Sequence, residues 1–255
     1  MSGIFFRNKN YMTSKIKPRK VKLLLKETFL KILKILKMIK LTIIIKNIPE
    51  NCHIEKLVDF AFSPRNNVIK LQQFKSEIIR LLEIIRDCHP KIILEIGTLN
   101  GGTLFLFSRT VNRDALLISI DLPKGKFGRF QFDWRVPLIK RFSLPYQKLK
   151  LVRANSHKTS TLYQVKKILD GKKLDFLFID ASHTYEGVKK DFEMYSPLID
   201  ENGTISLHDI ADCPLESNIF VSKFWNEIKE KYSYTEIIED KNQKGAGIGI
   251  LRRKI

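Results

Sequence analysis

Cysteine is scarce in this chain of 255 residues, which contains only Cys52, Cys88 and Cys213. The number is odd and no C-x-x-C spacing occurs. That argues against a disulfide framework or a cysteine zinc site and fits a reducing cytoplasm. No run of about 20 uncharged apolar residues is present, so no membrane span is expected. The first residues lack the basic, apolar and small-residue layout of a signal peptide. The G-x-G-x-x-G spacing of a dinucleotide site is also missing, which argues against a nicotinamide oxidoreductase. There is no internal repeat and no low-complexity tract.

Positive charge is abundant. The net charge is +19, which would ordinarily raise nucleic acid as a partner. Its distribution points elsewhere. Residues 1–46 hold 13 Lys/Arg and one Glu, whereas the remaining 209 residues hold 33 basic and 26 acidic groups. No RNP, KH or zinc-finger pattern accompanies the charge, and no nucleic-acid partner is expected. Residues 19–46, RKVKLLLKETFLKILKILKMIKLTIIIK, read as a helix to about Lys40 with a β-branched tail. Lys31, Lys34, Lys37 and Lys40 recur every three residues and drift around the helix, so the amphipathic face is imperfect. Two roles stay open for this stretch. One is peripheral contact with anionic lipid or a membrane-bound partner. The other is packing, on its own domain or in a homodimer, with lysine stems lying over apolar surface.

From residue 70 onward, apolar runs of strand length alternate with helical spacing. Residues 71–88, 101–111, 159–170, 184–199 and 217–232 read as helices. Residues 91–97, 115–121, 148–154, 174–180, 202–209, 234–240 and 246–253 read as strands, the last two joined by a turn around Asn242. Near-continuous apolar strands alternating with helices imply an α/β fold: a Rossmann-like, doubly wound, mostly parallel seven-stranded sheet with an antiparallel edge strand. Residues 1–69 form a basic N-terminal arm and helical extension, and residues 70–255 form the domain. With 44% hydrophobic residues the chain can bury one such core.

In such a sheet, ligands bind at the carboxyl ends of the strands, where the strand order reverses. The first strand ends in Glu95-Ile96-Gly97, then Thr98-Leu99-Asn100-Gly101-Gly102-Thr103 and a helix. Glycines permit a tight turn and close backbone approach. An acid at 95 would repel phosphate and favour a cationic or amine-bearing ligand. The second strand ends in Asp121, suited to ribose hydroxyls. The third ends in Arg153-Ala154-Asn155-Ser156-His157. There Asn155 and Ser156 can cap the next helix.

The fourth strand ends in FIDASHTYEGV, with Asp180 and then His183. The fifth ends in His208-Asp209, twenty-nine residues after Asp180. Two carboxylates at one rim repel unless a cation or proton lies between them. A hard divalent cation, Mg²⁺ by default, would bind both and lower the pKa of a substrate hydroxyl. His183 is the candidate base. His208 is either a third ligand or a group behind the ligands, and Glu186 is a further acid within reach of the cation. Residues 123–147 are rich in aromatic and basic groups and read as a lid or substrate wall, suited to a sugar or acidic glycan.

The Glu-Ile-Gly-x-x-x-Gly turn and the acid at the second strand end resemble the first two motifs of the class I methyltransferases that use S-adenosylmethionine. That resemblance implies Glu95, Gly97, Gly101 and Thr103 beside the methionine part of the cofactor, Asp121 on the ribose, and Asn155 with Ser156 beside the adenine, where the family often has an acid. FID-x-x-H-x-YEGV and HD resemble the metal-dependent O-methyltransferases of the methyltransferase-24 and cephalosporin hydroxylase-like group. IDLPKGKFG, the stretch from Asp133 to Phe142, and GAGIGIL add to this, and the likeness spans residues 70–255. It implies Asp180, His208 and Asp209 as metal ligands and His183 as the catalytic base. Ser182 stands where that group commonly has an acid. The activity implied is methylation of a hydroxyl on a small molecule, sugar or glycan. The alternatives are a natural-product tailoring protein of the cephalosporin hydroxylase-like type and a catalytically inactive binding module on the same fold.

Overall fold

A computed structural model describes residues 18–123, 136–240 and 242–254. Helix α1 (Pro18–Lys46) and α2 (Ile54–Phe62) lead into α3 (Lys75–Cys88) and strand β1 (Ile92–Ile96). Then come α4 (Gly102–Thr110), β2 (Leu116–Ile120), the short α5 (Val136–Ile139) and β3 (Lys148–Val152). The chain continues through α6 (Thr159–Leu169), β4 (Leu174–Ile179), α7 (Tyr185–Tyr195) and β5 (Ile199–His208). It closes with α8 (Val221–Ile228), β6 (Ser233–Ile237) and β7 (Ile248–Arg252).

These strands make one sheet in the order β3-β2-β1-β4-β5-β7-β6. The first five run parallel. β7 runs antiparallel to both β5 and β6 and is inserted between them, so β6 forms the outer edge. A tight return can only bring β7 back beside β6 in the opposite direction. The order reverses between β1 and β4, which is where a doubly wound sheet opens its crevice.

Strand alternation separates two cores. Ile93, Leu117, Phe176 and Phe178 face α2, α3 and α4. Leu94, Ile96, Ile118 and Leu177 face α6, α7 and α8. On the first face the Phe107 ring meets Phe176 and Phe178 edge-on, with centroids 5.8 Å and 5.4 Å away. Such pairs add about 0.5–1.5 kcal/mol each beyond burial. α2 packs into this same core through Leu57, Val58 and Ala61.

Two elements differ from their sequence patterns. The α1 helix runs through the β-branched Thr42–Ile45 stretch to Lys46. Leu41 and Ile45 are buried against the domain, and the Thr42 hydroxyl donates to the Met38 carbonyl at 2.9 Å. Packing therefore overrides weak helix propensity. Helix α3 starts at Lys75 rather than 71. Leu71 is drawn out of the helix to lie against Gly102, whose added Cβ would come 2.9 Å from it.

Candidate active site

The crevice is set by the meeting of β1 and β4. The Asp180 amide donates to the Ile96 carbonyl at 2.8 Å, and the Gly97 amide donates to Ile120 at 2.9 Å. A Cβ on Gly97 would lie 1.9 Å from the Asp180 carbonyl oxygen, and its φ is +99°. Only glycine fits both constraints. Leu99 follows in the left-handed region, φ +46°, and this twist directs its amide to Asp121 Oδ2 at 3.0 Å. Gly101, φ +81°, precedes the first turn of α4 and lies over the Phe142 ring. Thr103 is buried in that first turn. The strand-end acids at 95 and 121 and the glycine turn thus lie together at the head of α4.

Glu95 is fully buried, and among the described residues no hydrogen bond of normal geometry reaches either carboxylate oxygen. The neighbouring Thr98 hydroxyl is in close contact with Ser119. Burial pushes the Glu95 carboxyl well above its ordinary range. Thr98 acts in the opposite direction, and the negative charges of Asp180 and Asp121 add to the rise. A buried carboxylate without a donor is costly, and a cationic group would relieve it.

At the ends of β4 and β5, Asp180, His183 and Asp209 converge, and one ligand atom from each lies within 4.8 Å of the others. His183 Nδ1 is 2.6 Å from Asp209 Oδ2. That bond raises the imidazole pKa against the opposing effect of burial. For Asp209, burial raises the pKa, but His183, His208 and the Ala246 backbone outweigh it and the net shift is downward. Asp209 has φ +65°, a sparsely populated conformation for a non-glycine residue of the kind that collects at functional sites.

His208, expected either as a third ligand or as a group behind the ligands, lies against both carboxylates. The converging group contains His183 where the sequence pointed to His208. His208 is buried, with Nδ1 3.2 Å from Asp180 Oδ1 and 3.3 Å from Asp209 Oδ1. Burial lowers its pKa, but the carboxylates of Asp180 and Asp209 prevail and push it up to about 9. The two carboxylates thus favour its charged form. Glu186 is exposed and outside the converging group. The Ser182 hydroxyl turns to Thr184 at 3.2 Å, over Gly187.

On the third strand end, Asn155 Oδ1 accepts from the His157 amide at 2.8 Å, an Asx turn ahead of α6. Ser156 is buried, and its carbonyl accepts from the Tyr195 hydroxyl at 2.8 Å. Of the aromatic and basic stretch, residues 124–135, with Phe127, Arg129, Phe130, Phe132, Trp134 and Arg135, lie outside the described residues. Lys140 and Arg141 are exposed, while Leu138, Ile139 and Phe142 belong to the core beneath Gly101.

Sequence reasoning missed two supporting groups. Gln73 Nε2 donates to Asp180 Oδ2 at 2.6 Å across 107 residues of chain, a separation that no local pattern reveals. Glu77 accepts from the Gly247 amide at 3.0 Å and from Gln243 at 2.6 Å. It thereby holds the β6–β7 turn, whose Ala246 abuts Asp209. An acid on the apolar stripe of α3 was the legible signal for Glu77.

The sequence model of a methyltransferase domain family matches residues 94–210, the span that carries both motif groups. Residues 94–210 are therefore similar to a methyltransferase domain. A search of the curated proteins found no match. Several solved structures share the fold. An O-methyltransferase from Bacillus cereus in complex with SAH is 16% identical, with a TM-score of 0.52, over 81% of this chain and 93% of that one. The SAH-bound Podospora anserina methyltransferase PaMTH1 is 17% identical, with a TM-score of 0.54, over 82% and 92%. TomG from Streptomyces achromogenes, an O-methyltransferase involved in tomaymycin synthesis and solved with SAM, is 15% identical, with a TM-score of 0.51, over 82% and 93%. At these identities the likeness establishes the fold. The acidic strand ends lie at the rim where the order of strands reverses.

Proposed function

We propose that this protein transfers a methyl group from S-adenosylmethionine to a hydroxyl oxygen of a small molecule, sugar or glycan, assisted by a divalent cation such as Mg²⁺. The observation that carries the reading is the convergence of Asp180, His183 and Asp209 within 4.8 Å beside the buried carboxylate of Glu95, which no hydrogen bond of normal geometry reaches among the described residues. The Glu95 carboxylate fits the ammonium of the cofactor's methionine part, and the Gly97–Thr103 turn lets backbone approach it. Asp121 fits the ribose, with Asn155 and Ser156 on the adenine side. Bound S-adenosylmethionine supplies an electrophilic sulfonium methyl. A cation between Asp180 and Asp209 supplies positive charge that lowers the pKa of a hydroxyl.

His183 takes the hydroxyl proton. With Nδ1–H directed at Asp209 Oδ2, the basic lone pair lies on Nε2, and Asp209 both orients the ring and strengthens it as a base. His208 balances the acids from behind, and Gln73 holds the Asp180 carboxylate in place. Calorimetric titration with S-adenosylmethionine, with and without Mg²⁺, tests this beside an Asp180→Ala/Asp209→Ala variant. Cofactor binding by both proteins, with the Mg²⁺ heat lost in the variant, is expected. Absence of cofactor binding by the wild type would overturn the enzymatic reading.

A further inference from the structure

Helix α1 has two apolar faces with different fates. Near its C-terminal end, Leu41 and Ile45 are buried in the domain core, with Met38 packed beside them, and Arg109 donates to the Ile45 carbonyl at 3.2 Å. On another side, Leu25, Phe29, Ile32, Leu36, Ile39 and Ile43 follow one another at spacings of four, three, four, three and four. At 100° per residue they form one stripe about 80° wide and roughly 27 Å long. Every one of the six is between 49% and 65% exposed. A stripe of that size facing water calls for an occupant.

Charge decides between the candidates. Pro18–Lys46 holds nine Lys/Arg and one Glu. Lys26, Lys31, Lys37 and Lys40 are exposed and lie about 60–120° from the midline of the stripe, on both sides of it. A second copy of α1 would bring the same excess of positive charge against it, with Glu27 as the sole acid in the helix to offset it. An anionic lipid surface meets both features. Aliphatic and phenyl side chains enter the acyl boundary while flanking ammonium groups, on long stems, reach the headgroups. No helix among the described residues is long and apolar enough to cross a membrane, so such a helix lies on the surface.

We infer that α1 is a membrane-surface anchor that docks the domain onto anionic phospholipid through the Leu25–Ile43 stripe and its flanking lysines. The inference stands apart from the cofactor site. The full chain is sedimented with vesicles of equal parts phosphatidylglycerol and phosphatidylcholine, and with phosphatidylcholine alone. The wild type is expected to pellet with the anionic vesicles, to stay in solution with the neutral ones, and to be released by added salt. Phe29→Glu/Leu36→Glu should weaken anionic binding about tenfold or more, with the thermal midpoint held, because both side chains face solvent. Ile32→Asp provides a second, smaller lesion of the stripe. A wild type that stays in solution with anionic vesicles overturns the inference. If sedimentation equilibrium then finds a dimer that Phe29→Glu/Leu36→Glu dissociates, the stripe belongs to a second copy instead. Unchanged vesicle binding by both stripe variants also overturns it, because charge alone would then suffice.

Discussion

Glu95 and His208 are opposite answers to the same problem of burying charge near Asp180. Among the described residues no hydrogen bond of normal geometry reaches the Glu95 carboxylate, and burial drives it toward its neutral form. His208 sits against two carboxylates and is held in its charged form. The proposed ammonium partner makes Glu95→Gln informative. The variant should bind S-adenosylmethionine about 10- to 100-fold more weakly, the loss of one charge-assisted hydrogen bond, while the unliganded melting midpoint stays level or rises. Calorimetry and thermal melts read the two effects, and an unchanged affinity would remove Glu95 from the cofactor site. Gln73→Leu deprives Asp180 of its donor at 2.6 Å. An acceptor stripped of its partner in a largely buried setting costs about 1–3 kcal/mol, so a lower denaturant midpoint is expected, together with weaker Mg²⁺ binding. A variant with both properties unchanged would mean that Gln73 holds nothing in place.

At the scale of elements, the strand-end turns and α1 respond to opposite kinds of change. Gly97→Ala forces a Cβ onto the Asp180 carbonyl at 1.9 Å, in a left-handed backbone. The β1–β4 junction would have to open, at a cost of about 3 kcal/mol or more. Gly171 has φ +78° but nothing within 4 Å of an added Cβ, so Gly171→Ala should cost only about 1–2 kcal/mol. Equal midpoints for the two variants would contradict the close approach at the crevice. Along α1, Leu41→Ala should cost about 2–5 kcal/mol, because the side chain is in the core. Ile32→Ala should leave stability within about 0.5 kcal/mol, as for other solvent-facing positions. Urea melts of the two variants would separate the docked face from the open one.

Across the whole molecule, charge is segregated. The arm is basic, while Glu95, Asp121, Asp180 and Asp209 gather at one rim of the sheet. In the metal-free protein the carboxylates of this rim favour protonated histidine. The His208 pKa is raised from 6.5 to about 9. Its contribution to stability is therefore fully present below the unfolded value and is lost as pH rises through about 9. His183 is shifted in the same direction. Asp209 is depressed, so its contribution is present above its unfolded value and is lost on acidification. Thermal midpoints of the metal-free wild type should fall between neutral pH and pH about 10 more steeply than those of His208→Asn. Parallel curves would mean that His208 does not carry the charge balance.

The alternation of apolar runs from residue 91 onward was sufficient to read the strands, their parallel sheet and the acids at their ends, because strand period and strand-end position are local properties. Asp180, His183 and Asp209 were legible for that reason. The place of His208 was left open between two positions. Which one it takes depends on the left-handed backbone at Asp209, which spacing does not encode. Gln73 was hidden because its partner lies 107 residues away; Glu77 stood out on the apolar stripe of α3, but its partner, 170 residues away, did not. The same holds for α1. By itself the sequence determined a cationic helix with an imperfect apolar face. Only the tertiary structure divided that face into Leu41 and Ile45, which the domain core covers, and a Leu25–Ile43 stripe, which it leaves in water.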